Sequence, residues 1–135
     1  MKGRVLWVVD GDTIHVRIGQ RVEKVRYIGV NAPEVPHVTR WWRHGGEEAR
    51  AVNRALVGQR TVRLELDLSH RDSWGRLLAY AWILGLGKRA MANAEMIRRG
   101  YAQVMTIPPN VKHQAWFVRL QREARRAGRG LWSGR

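Results

Sequence analysis

The sequence predicts an α+β, mainly β protein: five strands closing into a small barrel with three helices packed on it. Three observations carry that expectation. The first third alternates apolar and polar residues in short runs broken by Asp10-Gly11 and Gly19-Gln20. Helical spacing of apolar residues sets in only over 47–58, 91–99 and 111–127. Two more alternating runs lie between the first and second of those helices. At 135 residues the chain is of single-domain length, so residues 1–135 are read as one domain, large enough to bury a real core.

In chain order, RVLWVV runs into Asp10-Gly11, a hairpin signal, and TIHVRI places Ile14, Val16 and Ile18 on one face. VEKVRYIGV is a third strand. NAPEVPHVTRWWRHGG, with two prolines and two glycines, is a loop long enough to be functional. In the first helix Glu47 and Glu48 suit the positive N-terminal end, and Ala49, Val52 and Leu56 form the apolar stripe up to Gly58. RTVRLELDL is the fourth strand, with Val62, Leu64 and Leu66 on one face, and LLAYAWIL is the fifth. MANAEMIRR forms the second helix. Asn110 is the expected N-cap of the third helix, over 111–127, where Phe117, Leu120, Ala124 and Ala127 align. The Trp of GLWS is expected to dock. This order of strands and helices is that of the oligonucleotide-binding (OB) barrel.

Composition narrows the function classes. There are no cysteines, which excludes disulfides and Cys-ligated zinc. No apolar run is long enough to span a membrane. The N-terminus enters strand pattern without a signal-peptide apolar core, and the compartment is left open. Lys and Arg total 25 against 11 Asp and Glu, a net charge of +14, and 21 of the 25 are arginine. Such an excess repels itself and is relieved by a polyanion. The guanidinium fork also matches phosphate oxygens in a bidentate way. Nucleic acid is the expected partner, and a monomer is expected. Charge alone does not separate a binder from an enzyme.

Three short segments could carry chemistry. In VVDGDTIHV, a turn accounts for Asp10 and Gly11 but not for Asp12. Asp12 has the parity of Ile14 and Val16, so its carboxylate points inward and requires a cation or donors. An EF-hand is excluded, because its third carboxylate position would be Ile14 and its twelfth residue Arg21. In VRYIGVNAPE, Arg26 shares parity with Ile28 and Val30, which places a guanidinium on an apolar face, either as an ion pair with Asp12 or as a phosphate clamp. Asn31 offers an amide oxygen to a hard cation, and Pro33 stiffens the path to Glu34 at a strand-to-loop junction. In DSWGRLLAY, Trp74 is a stacking platform or a barrel cap, and Arg76 a clamp or a surface charge. The five histidines lack zinc-ligand spacing. Arg119, Arg122, Arg125 and Arg126 form either a backbone-contacting or a solvated helix face.

Together DGDT, VRYIGVNAPE, DSWGRLLAYAW, NAEMIRRGYAQV, PPN and GLWS, in that order from Val5 to Ser133, resemble the staphylococcal nuclease-type thermonuclease family. The resemblance implies an OB barrel with three helices and a Ca²⁺-dependent phosphodiesterase acting on DNA and RNA with little sequence specificity, leaving 3′-phosphate ends. By that likeness Asp12 and Asn31 are side-chain metal ligands, Ala32 contributes its carbonyl and Asp10 sits nearby through water. Arg26 and Arg76 grip the scissile phosphate, with Trp74 beside it, and Glu34 handles the attacking water. Two departures stand out. Asn31 replaces the family's Asp, which implies weaker calcium affinity or tolerance of another hard divalent cation. The family's paired tyrosines before the third helix are missing from VMTIPPN, which leaves Trp74, Trp41 or Trp42 to stack a base. A non-catalytic, basic OB module that binds nucleic acid is the competing expectation.

Overall fold

The computed structural model describes residues 1–34, 45–85 and 90–134. In chain order the elements are β1 (Lys2–Asp10), β2 (Thr13–Ile18), β3 (Arg21–Tyr27), β4 (Val30–Asn31), α1 (Gly45–Val57), β5 (Thr61–Glu65), β6 (Leu77–Ile83), β7 (Ala90–Met91), α2 (Ala92–Arg98), β8 (Gln103–Val104) and α3 (Gln114–Ala127), ending in a 3₁₀ turn over Gly130–Trp132. The sheet runs β3-β2-β1-β5-β6, and a parallel pairing of β6 with β3 closes it into the expected five-stranded barrel. β7 extends β6, while β4 and β8 form a separate antiparallel ribbon.

Alternation fills the barrel. Val5 and Val8 of β1, Ile14 and Val16 of β2, Val25 and Tyr27 of β3, Val62 and Leu64 of β5, and Leu77, Ala79, Ala81 and Ile83 of β6 all point inward and are buried. Each large member contributes about 1.5–3 kcal/mol of transfer free energy. The pairing of β1 with β2 shifts between Val5 and Trp7, so Leu6 and Trp7 both face out while Val5 and Val8 both stay inside. Ala49 and Leu56 of α1, Met96 and Ile97 of α2, and Phe117, Leu120 and Ala124 of α3 complete the core. Those α1 and α3 residues lie on the stripes read from the sequence.

Several boundaries differ from expectation, four of them at informative places. β3 stops at Tyr27 rather than continuing to Val30, because Gly29 turns the chain at φ 81° under the Phe117 ring. β5 ends at Glu65: Asp67 leaves the ladder to accept hydrogen bonds from Tyr80 Oη at 2.7 Å and Lys112 N at 3.2 Å, and Leu68 faces solvent. α2 begins one residue late because Met91 belongs to β7. α3 begins at Gln114, and Asn110 does not cap it. The Asn110 amide instead accepts from Ser69 N and donates to Ser69 O, both at 2.8 Å, tying the pre-helical segment to the loop before β6.

Candidate active site

The β1–β2 turn is built from both chain ends of the hairpin. Asp10 pairs with Thr13, which leaves Gly11 and Asp12 as the turn. Asp10 Oδ1 accepts the Asp12 N–H at 3.1 Å. Gly11 is needed here for space rather than for a left-handed backbone. A Cβ on it would lie 2.6 Å from the Ala32 Cβ and 2.9 Å from the Ala49 Cβ. The turn is anchored from outside as well, since Tyr27 N–H donates to the Asp12 carbonyl at 2.8 Å. Buried Asn53 of α1 donates to the Asp10 carbonyl at 2.9 Å and accepts from Tyr27 Oη at 2.7 Å.

Asp12 is 4% exposed, so its inward direction is as expected. Its Oδ2 accepts the Ala32 N–H at 2.8 Å and lies 3.5 Å from Arg26 Nη2, and its Oδ1 accepts from Thr13 Oγ1 at 3.0 Å. The expected strand parity of Arg26 is wrong. The inward residues of β3 are Glu23, Val25 and Tyr27, so Arg26 lies on the opposite parity to the core. It still reaches the turn, because β3 ends one residue later and the chain folds back. There Arg26 Nη1 donates to the carbonyls of Tyr27 at 2.7 Å and Val30 at 2.8 Å. A guanidinium fixed by two carbonyls keeps its second nitrogen directed at the carboxylate. The ion pair and the cleft position are therefore both present.

Asp10, Asp12, Arg26, Asn31, Glu34, Trp74 and Arg76 all line one cleft of about 440 Å³. Ile107, Pro108, Pro109 and Asn110 form part of its wall. Ala32 is buried behind the turn; its N–H is spent on Asp12. Asn31 is exposed, with its backbone paired to Gln103 in the β4–β8 ribbon. Glu34 is exposed at the end of that segment. Trp41 and Trp42, with His37 and His44, lie outside the described residues.

The donor set fits a hard cation. Burial, and then the charge of Asp12, push the Asp10 carboxyl up to about 7. Two crowded carboxylates with lone pairs to spare are what a divalent ion bound by oxygen would relieve. Besides these two carboxylates, the cleft offers the neutral amide oxygen of Asn31. Oxygen donors of this kind suit calcium or magnesium.

Arg76 is held by a residue to which the sequence reading gave no role. Asp72 Oδ1 accepts the backbone N–H groups of Trp74 at 3.0 Å and Arg76 at 2.9 Å, while its Oδ2 accepts Arg76 Nε at 2.7 Å. These bonds, outweighing burial, hold the Asp72 carboxyl below its ordinary range. The Arg76 guanidinium carbon lies 5.3 Å from the Trp74 ring, which is 79% exposed. The loop is fastened to the barrel by Arg71, whose two terminal nitrogens both donate to buried Glu23 at 2.9 Å. The four-residue spacing of Asp72 and Arg76 was the only available signal for this clasp. Nothing local in the sequence pairs Glu23 with Arg71.

Known proteins resemble the chain over most of its length. A family model described as "Staphylococcal nuclease homologue" matches residues 24–134. The chain is 34% identical over 130 residues to a thermonuclease of Staphylococcus hyicus, a match covering 96% of this chain and 75% of that protein. It is 36% identical over 126 residues to a thermonuclease of Staphylococcus intermedius, covering 93% and 72%. An SPbeta prophage-derived endonuclease, YokF of Bacillus subtilis, is 33% identical over 127 residues, covering 93% of this chain and 42% of its own length.

Proposed function

Because the chain belongs to the staphylococcal nuclease homologue family, we propose that it is a Ca²⁺-dependent nuclease. Acting as one domain and as a monomer, it hydrolyses phosphodiester bonds of DNA and RNA with little sequence specificity and leaves 3′-phosphate ends. The observation that carries this reading is the convergence of Asp12, Arg26, Asn31, Glu34 and Arg76 on a single cleft. Binding alone would not require a crowded carboxylate pair facing two arginines.

In this assignment the side chains of Asp12 and Asn31 and the carbonyl of Ala32 hold the cation, with Asp10 beside them. A bound calcium ion supplies Lewis acidity and neutralises part of the phosphate charge. Arg26 and Arg76 donate charge-assisted hydrogen bonds to the non-bridging oxygens of the scissile phosphate. Those bonds strengthen as negative charge gathers in the transition state. For this Arg76 exchanges part of its contact with Asp72 for the phosphate. Glu34 orients the attacking water and takes its proton; the new P–O bond forms as the bond to the 5′ oxygen breaks, and the released 5′ oxygen takes a proton from solvent. Asn31 supplies oxygen without charge, so another hard divalent cation is accepted as well.

Incubation with single-stranded DNA tests the reading, in calcium and separately in a chelator. Cleavage is expected only with calcium, and Glu34→Gln is expected to lower kcat by 10²-fold or more. Intact DNA in both tubes would instead identify a nucleic-acid-binding module, and cleavage unchanged by Glu34→Gln would remove Glu34 from the chemistry.

A further inference from the structure

The arginines of α3 divide into two groups. Arg125 lies over the Trp132 ring at 5.1 Å, and Arg129, just beyond the helix, donates to the Arg98 carbonyl at 3.1 Å, so both serve the fold. Arg119, Arg122 and Arg126 are exposed and bond no acidic side chain among the described residues. Their spacing of three and four residues puts them on one stripe, directly opposite buried Phe117, Leu120 and Ala124. Like charges on one helical face repel one another, and Glu123, the helix's one acid, bonds none of them.

The stripe is also joined to the cleft along the chain. Asn110 closes the cleft wall, and the chain continues directly into Val111 and Lys112. These two residues, with Ala115, Val118, Arg119 and Arg122, line a shallow groove of about 510 Å³ along α3. Lys112 is already paired with Glu65, so the free charge in the groove belongs to the arginines. From Arg119 to Arg126 the helix rises about 10 Å, so the stripe is long enough to follow a short run of phosphodiester backbone.

We propose that Arg119, Arg122 and Arg126 form a second, non-catalytic site that binds the phosphodiester backbone of the substrate strand beyond the scissile bond. The site rests on the proposed nuclease reading for its occupant. It recognises phosphate and not base, adding affinity for long strands while leaving the chemistry of the cleft untouched.

The test compares three proteins: wild type, the triple variant Arg119→Gln/Arg122→Gln/Arg126→Gln, and a charge-matched control, Arg4→Gln/Arg17→Gln/Arg60→Gln. The control changes three exposed arginines elsewhere on the barrel. Binding of a fluorescein-labelled 30-nucleotide single-stranded DNA is followed by anisotropy in EDTA between 50 and 200 mM NaCl. Cleavage of a trinucleotide is followed separately in calcium. For the α3 variant, Kd for the 30-mer is expected to rise about tenfold at low salt. The slope of log Kd against log salt should fall by about 2, at ~0.7 per lost phosphate contact. Trinucleotide kcat/KM should stay within twofold of wild type. Wild-type affinity in the α3 variant, an equal loss in the control, or no binding of the 30-mer by the wild type overturns the proposal. Failure of the wild type to cleave the trinucleotide while the α3-specific loss of binding persists refutes the nuclease reading alone.

Discussion

Asp12 is oriented from several directions before any cation is considered. Ala32 N–H and Thr13 Oγ1 take one oxygen each, Arg26 stands behind, and the Asp12 carbonyl is held by Tyr27. A carboxylate so fixed meets a ligand with little further loss of side-chain freedom. Asn31 is a different case. It sits on the same cleft with a neutral amide where a carboxylate would add a unit of attraction. If Asp12 and Asn31 share a calcium ion, Asn31→Asp should tighten calcium binding roughly tenfold, since a charge a few ångströms away in a partly screened site is worth about 1–2 kcal/mol. Isothermal titration of wild type and variant reads this directly. An equal or weaker affinity in the variant removes Asn31 from the ligand set.

Among the elements, α3 is joined to the barrel by polar bonds as well as by its apolar stripe. Glu65, the last residue of β5, accepts from Trp82 Nε1 at 2.9 Å, bonds His113 Nε2 at 3.1 Å just before α3, and pairs with Lys112. Near-parallel Trp82 and Trp116 rings, with centroids 6.5 Å apart, flank the same junction. Burial alone would raise the Glu65 carboxyl; the hydrogen bonds from Lys112, Trp82 and His113 outweigh it and hold the group at about 2 against an ordinary 4.5. A carboxyl depressed by folding contributes stability that is complete above about 4.5 and is lost as the pH falls toward 2. Glu65→Gln should therefore cost on the order of 1–3 kcal/mol at pH 7. The gap to wild type should narrow steadily as the pH falls through that window. Urea midpoints measured at several pH values check it, and a gap that does not change with pH would place the carboxylate outside the junction's energetics.

Across the whole molecule, what was legible in the sequence and what was not follows the range of the interactions. The barrel strands could be read because alternation such as Ile14 and Val16 is dictated residue by residue by which face is buried. The cleft residues could be read because Asp12, Arg26, Asn31, Glu34 and Arg76 lie in segments whose likeness to a known family is local. Bonds between distant segments leave no such trace. Glu23 with Arg71, Asn53 with Tyr27 and Asn110 with Ser69 are each separated by 26 or more positions. The parity of Arg26 is hidden from the sequence for the same reason: the stop of β3 at Tyr27 depends on Phe117 packing over Gly29, 88 residues away in the chain.

Asn93 is the extreme of this class. From the start of α2 its Oδ1 accepts the Ala81 N–H at 2.9 Å, and its Nδ2 donates to the carbonyls of Ile28 at 2.9 Å and Ala79 at 3.2 Å, all without solvent contact. It thereby joins the end of β3, the closing strand β6 and α2 at one point, and the seam it satisfies is the one that closes the barrel. Asn93→Ala would leave the buried Ala81 N–H and the Ile28 carbonyl without this partner, while the Ala79 carbonyl keeps the Ile28 N–H at 3.0 Å. At about 1–3 kcal/mol for each unsatisfied group, partly relieved by relaxation, the expected loss is about 3–5 kcal/mol. Because the seam belongs to the barrel as a whole, the loss should appear as a lower urea midpoint with an unchanged m value, rather than as local fraying. A loss below about 1 kcal/mol, or a reduced m value with a second transition, would mean that the barrel closes without Asn93 and that α2 unfolds on its own.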